Sequence, residues 1–171
     1  MRSLSKFAIL LALFSIAVTA GAQGAKKYTG IDCTFFVLKD CPIANQYAPE
    51  MKRIIAEYEK KGVTFGMVFE DQDLSLEEAT RHAREYGFKC AMIADKDHRM
   101  AKKAGATVSP TAFVSHRNQK IYTGRIDDQY AGIGKRRAKV SSRDLRNALD
   151  AALAGKPAPA AKGAAIGCRL Y

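Results

Sequence analysis

The sequence contains no C-x-x-C pair. Its four cysteines, Cys33, Cys41, Cys90 and Cys168, are separated by 8, 49 and 78 residues. That removes the ligand spacing of a structural zinc site and the near partner of a dithiol redox motif. Histidine is scarce too: none of the three, His82, His98 and His116, stands at ligand spacing from another His or a Cys. No metal or other cofactor is expected. Beyond the N-terminus no apolar run approaches the roughly 20 residues that span a bilayer, and internal repeats are absent. Acidic residues are the minority, 17 against 28 Lys and Arg, for a formal charge of +11. A basic domain can meet nucleic acid, anionic lipid or acidic partners only where its charges share a face. The densest run, Lys135, Arg136, Arg137 and Lys139, has no aromatic residues interleaved for base stacking. It reads as a solvated loop, and no nucleic-acid partner is expected.

At the N-terminus, Arg2 and Lys6 precede an apolar run from Phe7 to Ala20, and Ala20-Gly21-Ala22 follows with a small-x-small pattern. These are the parts of an export signal over residues 1–22, cleaved before Gln23. The run is short for a membrane span, and no cysteine stands near the cleavage point to accept a lipid. Export to a periplasmic or extracellular space, with no membrane anchor after cleavage, is the expectation. Cleavage leaves 149 residues with a formal charge of +9, enough for one domain with a real core. We place that domain at 23–155 and a flexible C-terminal tail carrying Cys168 at 156–171. All four cysteines then face an oxidising compartment, where disulfides persist. Three complete pairings are open, and the spacing selects none.

Thr34 to Leu38 is β-branched and aromatic throughout, the pattern of a central strand covered on both faces. Cys41-Pro42 opens a helix with proline in the first turn. Ile43, Tyr47, Met51, Ile54, Ile55 and Tyr58 form its apolar stripe, with Pro49 inside it and Gly62 closing it. Val63 to Phe69 is a second strand. Ser75 and Glu78 make a capping box for a helix whose stripe is Leu76, Ala79, Ala83 and Tyr86. Cys90 to Ile93 is a third strand, and a short helix runs from Asp97 to Lys103. Thr111 to His116 and Ile121 to Thr123 flank an Arg117-Asn118 turn. Ser141 or Ser142 caps a last helix with Leu145, Ala148, Leu149 and Ala152 inward. Alternating strands and helices with a final hairpin predict an α/β fold: a mixed sheet covered on both sides.

Cys41 carries the chemistry. At a helix N-terminus a thiolate gains from free backbone N–H groups and the positive end of the helix dipole. The thiolate is the form that attacks a disulfide sulfur. The position also ends a central strand, at the edge where open α/β sheets hold their sites. Free cysteine is often merely a small buried residue, and that alternative leaves the strand–turn–helix context without a purpose.

The chain resembles the thioredoxin fold in its redoxin branch, the alkyl hydroperoxide reductase and thiol-specific antioxidant (AhpC/TSA-type) family. The matching residues are Thr34 to Leu38, Asp40-Cys41-Pro42-Ile43-Ala44-Asn45, Pro49 and Val108-Ser109-Pro110-Thr111. The resemblance implies a thioredoxin-like three-layer α/β/α sandwich with a redoxin-type insertion between Gly62 and Val108. It implies a cis bond before Pro110, where the local sequence alone indicates only a turn. Ser109, Pro110 and Pro42 would then border a substrate segment added as a strand beside Cys41. Gly124-Arg125-Ile126-Asp127-Asp128 with Gly134-Lys135-Arg136-Arg137 resembles an exported bacterial subgroup.

Two departures matter. Ala44 stands where thioredoxins carry their second cysteine. Thr34 and Leu38 stand where peroxiredoxins carry the Pro and Thr of P-x-x-x-T-x-x-C. Cys168 is a candidate resolving thiol on its tail, or else half of a static disulfide to Cys33 or Cys90. Arg125 is a candidate stabiliser of the thiolate, or a surface partner of Asp127 or Asp128. Three functions follow. One is an exported thiol–disulfide oxidoreductase using Cys41, resolved by Cys168 or an outside thiol. The second is a thiol peroxidase, and the third a partner module without turnover. Partners would be protein thiols and disulfides, or peroxide, with an external electron donor.

Overall fold

The computed structural model describes residues 28–171. The expected export signal lies outside these residues. In chain order the elements are β1 (Ile31–Val37), α1 (Pro42–Tyr58), β2 (Thr64–Phe69), α2 (Leu76–Glu85), β3 (Ala91–Ala94) and α3 (Arg99–Ala104). There follow β4 (Val108–Ser109), β5 (Thr111–His116), β6 (Gln119–Gly124), β7 (Tyr130–Gly132), β8 (Lys135–Arg136), α4 (Asp144–Leu153) and β9 (Cys168–Arg169). Among the described residues no helix is long and apolar enough to cross a membrane.

The central sheet has the order β3-β2-β1-β5-β6. β1, β2 and β3 run parallel, and β5 and β6 antiparallel to their neighbours. Its centre is β1, where Phe35 lies between Met67 of β2 and Ala112 of β5. Because strand side chains alternate between faces, the continuous apolar run of β1 feeds two cores. Cys33, Phe35 and Val37 join Phe65, Met67, Phe69, Ala112 and Val114 under α1, α2 and α4. Phe36 joins Val68 on the opposite face with Ala101 and Ala104 of α3. The result is the expected three-layer sandwich with a mixed sheet.

Local sequence rules explain most elements. The α1 stripe is buried at every position named from the sequence. Ser75 and Glu78 close the capping box of α2. The β5–β6 turn has positive φ at both Arg117 and Asn118, the geometry that two-residue hairpins favour.

Three expectations are corrected. Leu76 is 53% exposed: it sits at the first position of α2, turned away from the stripe of Ala79 and Ala83. Neither Ser141 nor Ser142 caps α4. The N-cap is Arg143, and both serine amides donate instead to Asp128 Oδ1, at 2.8 and 2.9 Å. The third concerns the tail. Far from being a free arm, it is fastened at both ends. The Lys162 N–H donates to Asp144 Oδ1 at 2.8 Å, and β9 pairs antiparallel with β4. Beyond β9, Leu170 is buried with Phe36, Val68, Ala101, Ala104 and Ala106. An apolar residue at the penultimate position had a vacancy to fill on the α3 face, which the tail's composition does not reveal.

Candidate active site at the start of helix α1

Cys41 is the N-cap of α1, with extended backbone angles, and Pro42 occupies the first turn. The preceding loop is tied down strand by strand. The Leu38 N–H donates to Ser109 Oγ at 2.8 Å and the Lys39 N–H to Asp71 Oδ2 at 2.9 Å. Asn45 Nδ2 donates to the Lys39 carbonyl at 3.0 Å, and the Cys41 N–H to the Leu38 carbonyl at 3.2 Å. The sulfur therefore has a fixed place, 3.5 Å from the Ala44 N–H and 3.2 Å from the Ser109 carbonyl. The Ser109–Pro110 bond beside it is cis.

The tail completes the site. In the β4–β9 pair Ser109 lies opposite Cys168 and Val108 opposite Arg169, and the Leu170 N–H donates to the Thr107 carbonyl at 3.0 Å. Gly167 is required by this approach. A Cβ on it would lie 1.7 Å from the Ser109 carbonyl oxygen and 2.6 Å from its carbon.

The four thiols separate electrostatically. Burial opposes ionisation of Cys41, but hydrogen bonds from the Cys168 thiol, the Ala44 N–H, Ser109 and the Cys168 backbone outweigh it. The net effect holds Cys41 below its ordinary value. Burial, then the hydrogen bond and charge of Cys41, push Cys168 up to about 11. Burial pushes Cys90 up to about 11 as well. Cys33, fully enclosed in the core, is raised by burial and then by the charges of Cys90 and Asp32. Cys41 is thus the one thiol of the four that moves toward the reactive form, and Cys168 is the one beside it. Cys33 is fully buried in the core under the helices.

Arg125 does not serve the thiolate. Its Nε donates to Asp144 Oδ2 at 2.8 Å, and Asp144 also holds the start of the tail. The expected partners Asp127 and Asp128 are used elsewhere: Tyr47 donates to Asp127 Oδ1 at 2.7 Å, and the serine amides occupy Asp128. Arg125→Ala should therefore leave the pH profile of Cys41 alkylation unchanged. It should cost about 1–3 kcal/mol, since it removes one hydrogen-bond partner of a buried carboxylate, as a shift in urea midpoint will show.

A second cluster was not foreseen. His98, which has no ligand spacing in the sequence, is buried with its Nδ1 2.9 Å from Glu70 Oε2 and its Nε2 3.3 Å from Gln72 Nε2. The Tyr171 ring rests against it at 5.5 Å. The cluster borders an open pocket of about 500 Å3, whose other wall is Leu38, Lys39 and Asp40 just before Cys41. A glutamate ending the apolar run Phe65–Phe69 was the signal that could have marked it. Among the described residues no group of three or more His, Cys, Asp or Glu is placed to hold a metal ion.

Several known proteins share this architecture. An uncharacterized conserved protein from Geobacillus kaustophilus superposes with a TM-score of 0.70 at 25% identity, over 85% of this chain and 78% of that one. A hypothetical protein from Sinorhizobium meliloti 1021 gives 0.70 at 25% identity, over 83% and 79%. A secreted Mycobacterium tuberculosis disulfide oxidoreductase, homologous to E. coli DsbE, gives 0.51 at 14% identity, over 73% and 83%, a likeness of fold alone. No curated protein matches the chain in sequence. The AhpC/TSA family model matches residues 26–123. That stretch holds β1, Cys41, the whole of α1, the inserted α2 and β3, and the cis bond before Pro110. With more than half of its length so matched, on a thioredoxin-like fold, the chain belongs to the AhpC/TSA family.

Proposed function

We propose that the protein is a thiol–disulfide oxidoreductase working outside the cytoplasm, with Cys41 and Cys168 as its redox pair. The observation that carries the reading is the register of β9 on β4, which sets Cys168 opposite Ser109, the residue whose carbonyl touches the Cys41 sulfur. Ala44 removes a near partner from the helix, and the tail supplies a distant one. Closing a long loop adds an entropic cost that grows slowly with its length, and docking of Leu170 offsets that cost. The substrates are protein thiols and disulfides, and an external thiol or disulfide donor completes the cycle. The disulfide oxidoreductase named among the fold neighbours supports that chemistry. Its description as secreted, together with the N-terminal leader pattern of this chain, supports export. Peroxide is the less favoured substrate, because Leu38 offers no hydroxyl where peroxiredoxins use threonine. A module without turnover would have no use for a thiol held below its ordinary value.

Peptide mapping after mild oxidation tests the pairing. A Cys41–Cys168 bridge should form, and mild dithiol should open it before any other, since a catalytic disulfide is the more readily reduced. Cys168→Ser should leave Cys41 as an unpaired thiol with little change in Tm, and should abolish turnover of a dithiol peptide by glutathione disulfide. A bridge from Cys168 to Cys33 or Cys90, with Tm falling on mutation, would make the tail a structural staple and sink the proposal.

A further inference from the structure

The two sulfurs of the pair differ in access. Cys41 is 2% exposed, whereas Cys168 is half-buried and its neighbour Arg169 is exposed. The backbone contact at Gly167 leaves no space between β4 and β9 for a second chain. With the tail docked, an outside segment cannot pair with Ser109 to reach Cys41. We infer that Cys168 is the sulfur at which external thiols and disulfides exchange, while Cys41 works only inside the protein, as leaving and resolving thiolate. This rests on the Cys41–Cys168 pair proposed above, and it reverses the roles assigned to the two cysteines from the sequence.

A substrate thiolate attacks Cys168 Sγ, a substrate–Cys168 disulfide forms, and the Cys41–Cys168 bond breaks with its electron pair left on Cys41. The Ala44 N–H and the Ser109 hydroxyl receive that charge. A second thiolate of the same dithiol substrate attacks the substrate sulfur and expels Cys168, which takes a proton from water. The dithiol has lost two electrons and the bridge has gained them. An external disulfide restores the bridge. Cys168, once deprotonated, attacks it and releases one external thiolate. The Cys41 thiolate then attacks Cys168 Sγ and expels the other.

The placement favours this polarity, because the better-stabilised thiolate is the better leaving group, and the Ala44 N–H at the start of α1 stands by Cys41 whatever Cys168 is bonded to. Reloading by an external disulfide should accordingly quicken as pH rises toward about 11, where Cys168 ionises.

Limiting glutathione, added to the oxidised full chain and quenched in acid, provides the test. After alkylation of free thiols, mass mapping should find at least tenfold more glutathione on Cys168 than on Cys41. Equal labelling, or an excess on Cys41, overturns the inference. Oxidised protein without a Cys41–Cys168 bridge instead overturns the proposed function, and the inference with it. Proteins that each lack one member of the pair decide the matter where the adduct is short-lived, with loading read at the remaining member by mass mapping. At pH 9.5 the Cys41→Ser protein should load from glutathione disulfide at least tenfold faster than the Cys168→Ser protein. The opposite order, or equal rates, rejects Cys168 as the entry sulfur.

Discussion

Gly167→Ala should lift the C-terminal strand off the active site. The added Cβ would meet the Ser109 carbonyl oxygen at 1.7 Å and its carbon at 2.6 Å. Both are backbone atoms, fixed by β4 and by the Leu38 N–H bond to the Ser109 hydroxyl, so the tail must move. Its shift breaks the Ser109–Cys168 register and exposes Leu170. A displacement of about 1 Å can cost a reaction on the order of 100-fold when geometry supplies the rate. Bridge formation should slow by about that factor, followed by alkylation and mapping after addition of glutathione disulfide. Global stability should fall by no more than the burial of one leucine, about 1.5–3 kcal/mol. An unchanged rate of bridge formation would mean that the β4–β9 pairing does not deliver Cys168 to Cys41.

Glu70→Gln should stabilise the protein above neutral pH and flatten its pH dependence. Glu70 is 1% exposed, with one oxygen toward His98 and the other, Oε1, without a hydrogen-bond partner. Burial, then the neighbouring Asp95 and Asp71, push its carboxyl up to about 8. The unfolded chain releases this proton near 4.5 while the folded chain retains it. Folding is therefore favoured at low pH, and that advantage is lost as pH rises from about 4.5 to 8. At about 1.4 kcal/mol per unit, the loss by pH 7 is about 2–3 kcal/mol after allowing for water in the adjoining pocket. Urea midpoints at pH 5, 6.5 and 8 should fall steadily in the parent protein relative to the variant. Parallel curves would show that Glu70 is ionised in both states. Because Tyr171 rests on His98, bridge formation measured across the same pH series will also report whether the cluster holds the tail.

The residues around Cys41 were legible because their pattern is local. A β-branched run ending at a cysteine, a proline one residue on and a 3.6-residue stripe after it specify strand, turn and helix through neighbours only a few positions apart. The Ser75–Glu78 box is of the same kind. The errors arose where distant chain competes for a role. The amides of Ser141 and Ser142 were taken by Asp128, more than ten residues back. Arg125, a candidate for the thiolate or for Asp127 and Asp128, pairs with Asp144 on the following helix instead.

Composition and periodicity thus determined by themselves the α/β class, the order of its main elements and the placing of Cys41 at a helix start. Those properties follow from backbone propensity, side-chain alternation and the free amides of a helix start, all present in any short window of chain. Only the tertiary structure decided which second thiol meets the first. The tail has no apolar period to mark it as ordered, and its course depends on surfaces built elsewhere: a β4 edge with open backbone groups, a cavity on the α3 face sized for Leu170, and a Ser109 carbonyl that admits only glycine. Those surfaces exist once the sheet has folded, and residues more than a hundred positions apart in the chain then bring Cys168 against Cys41.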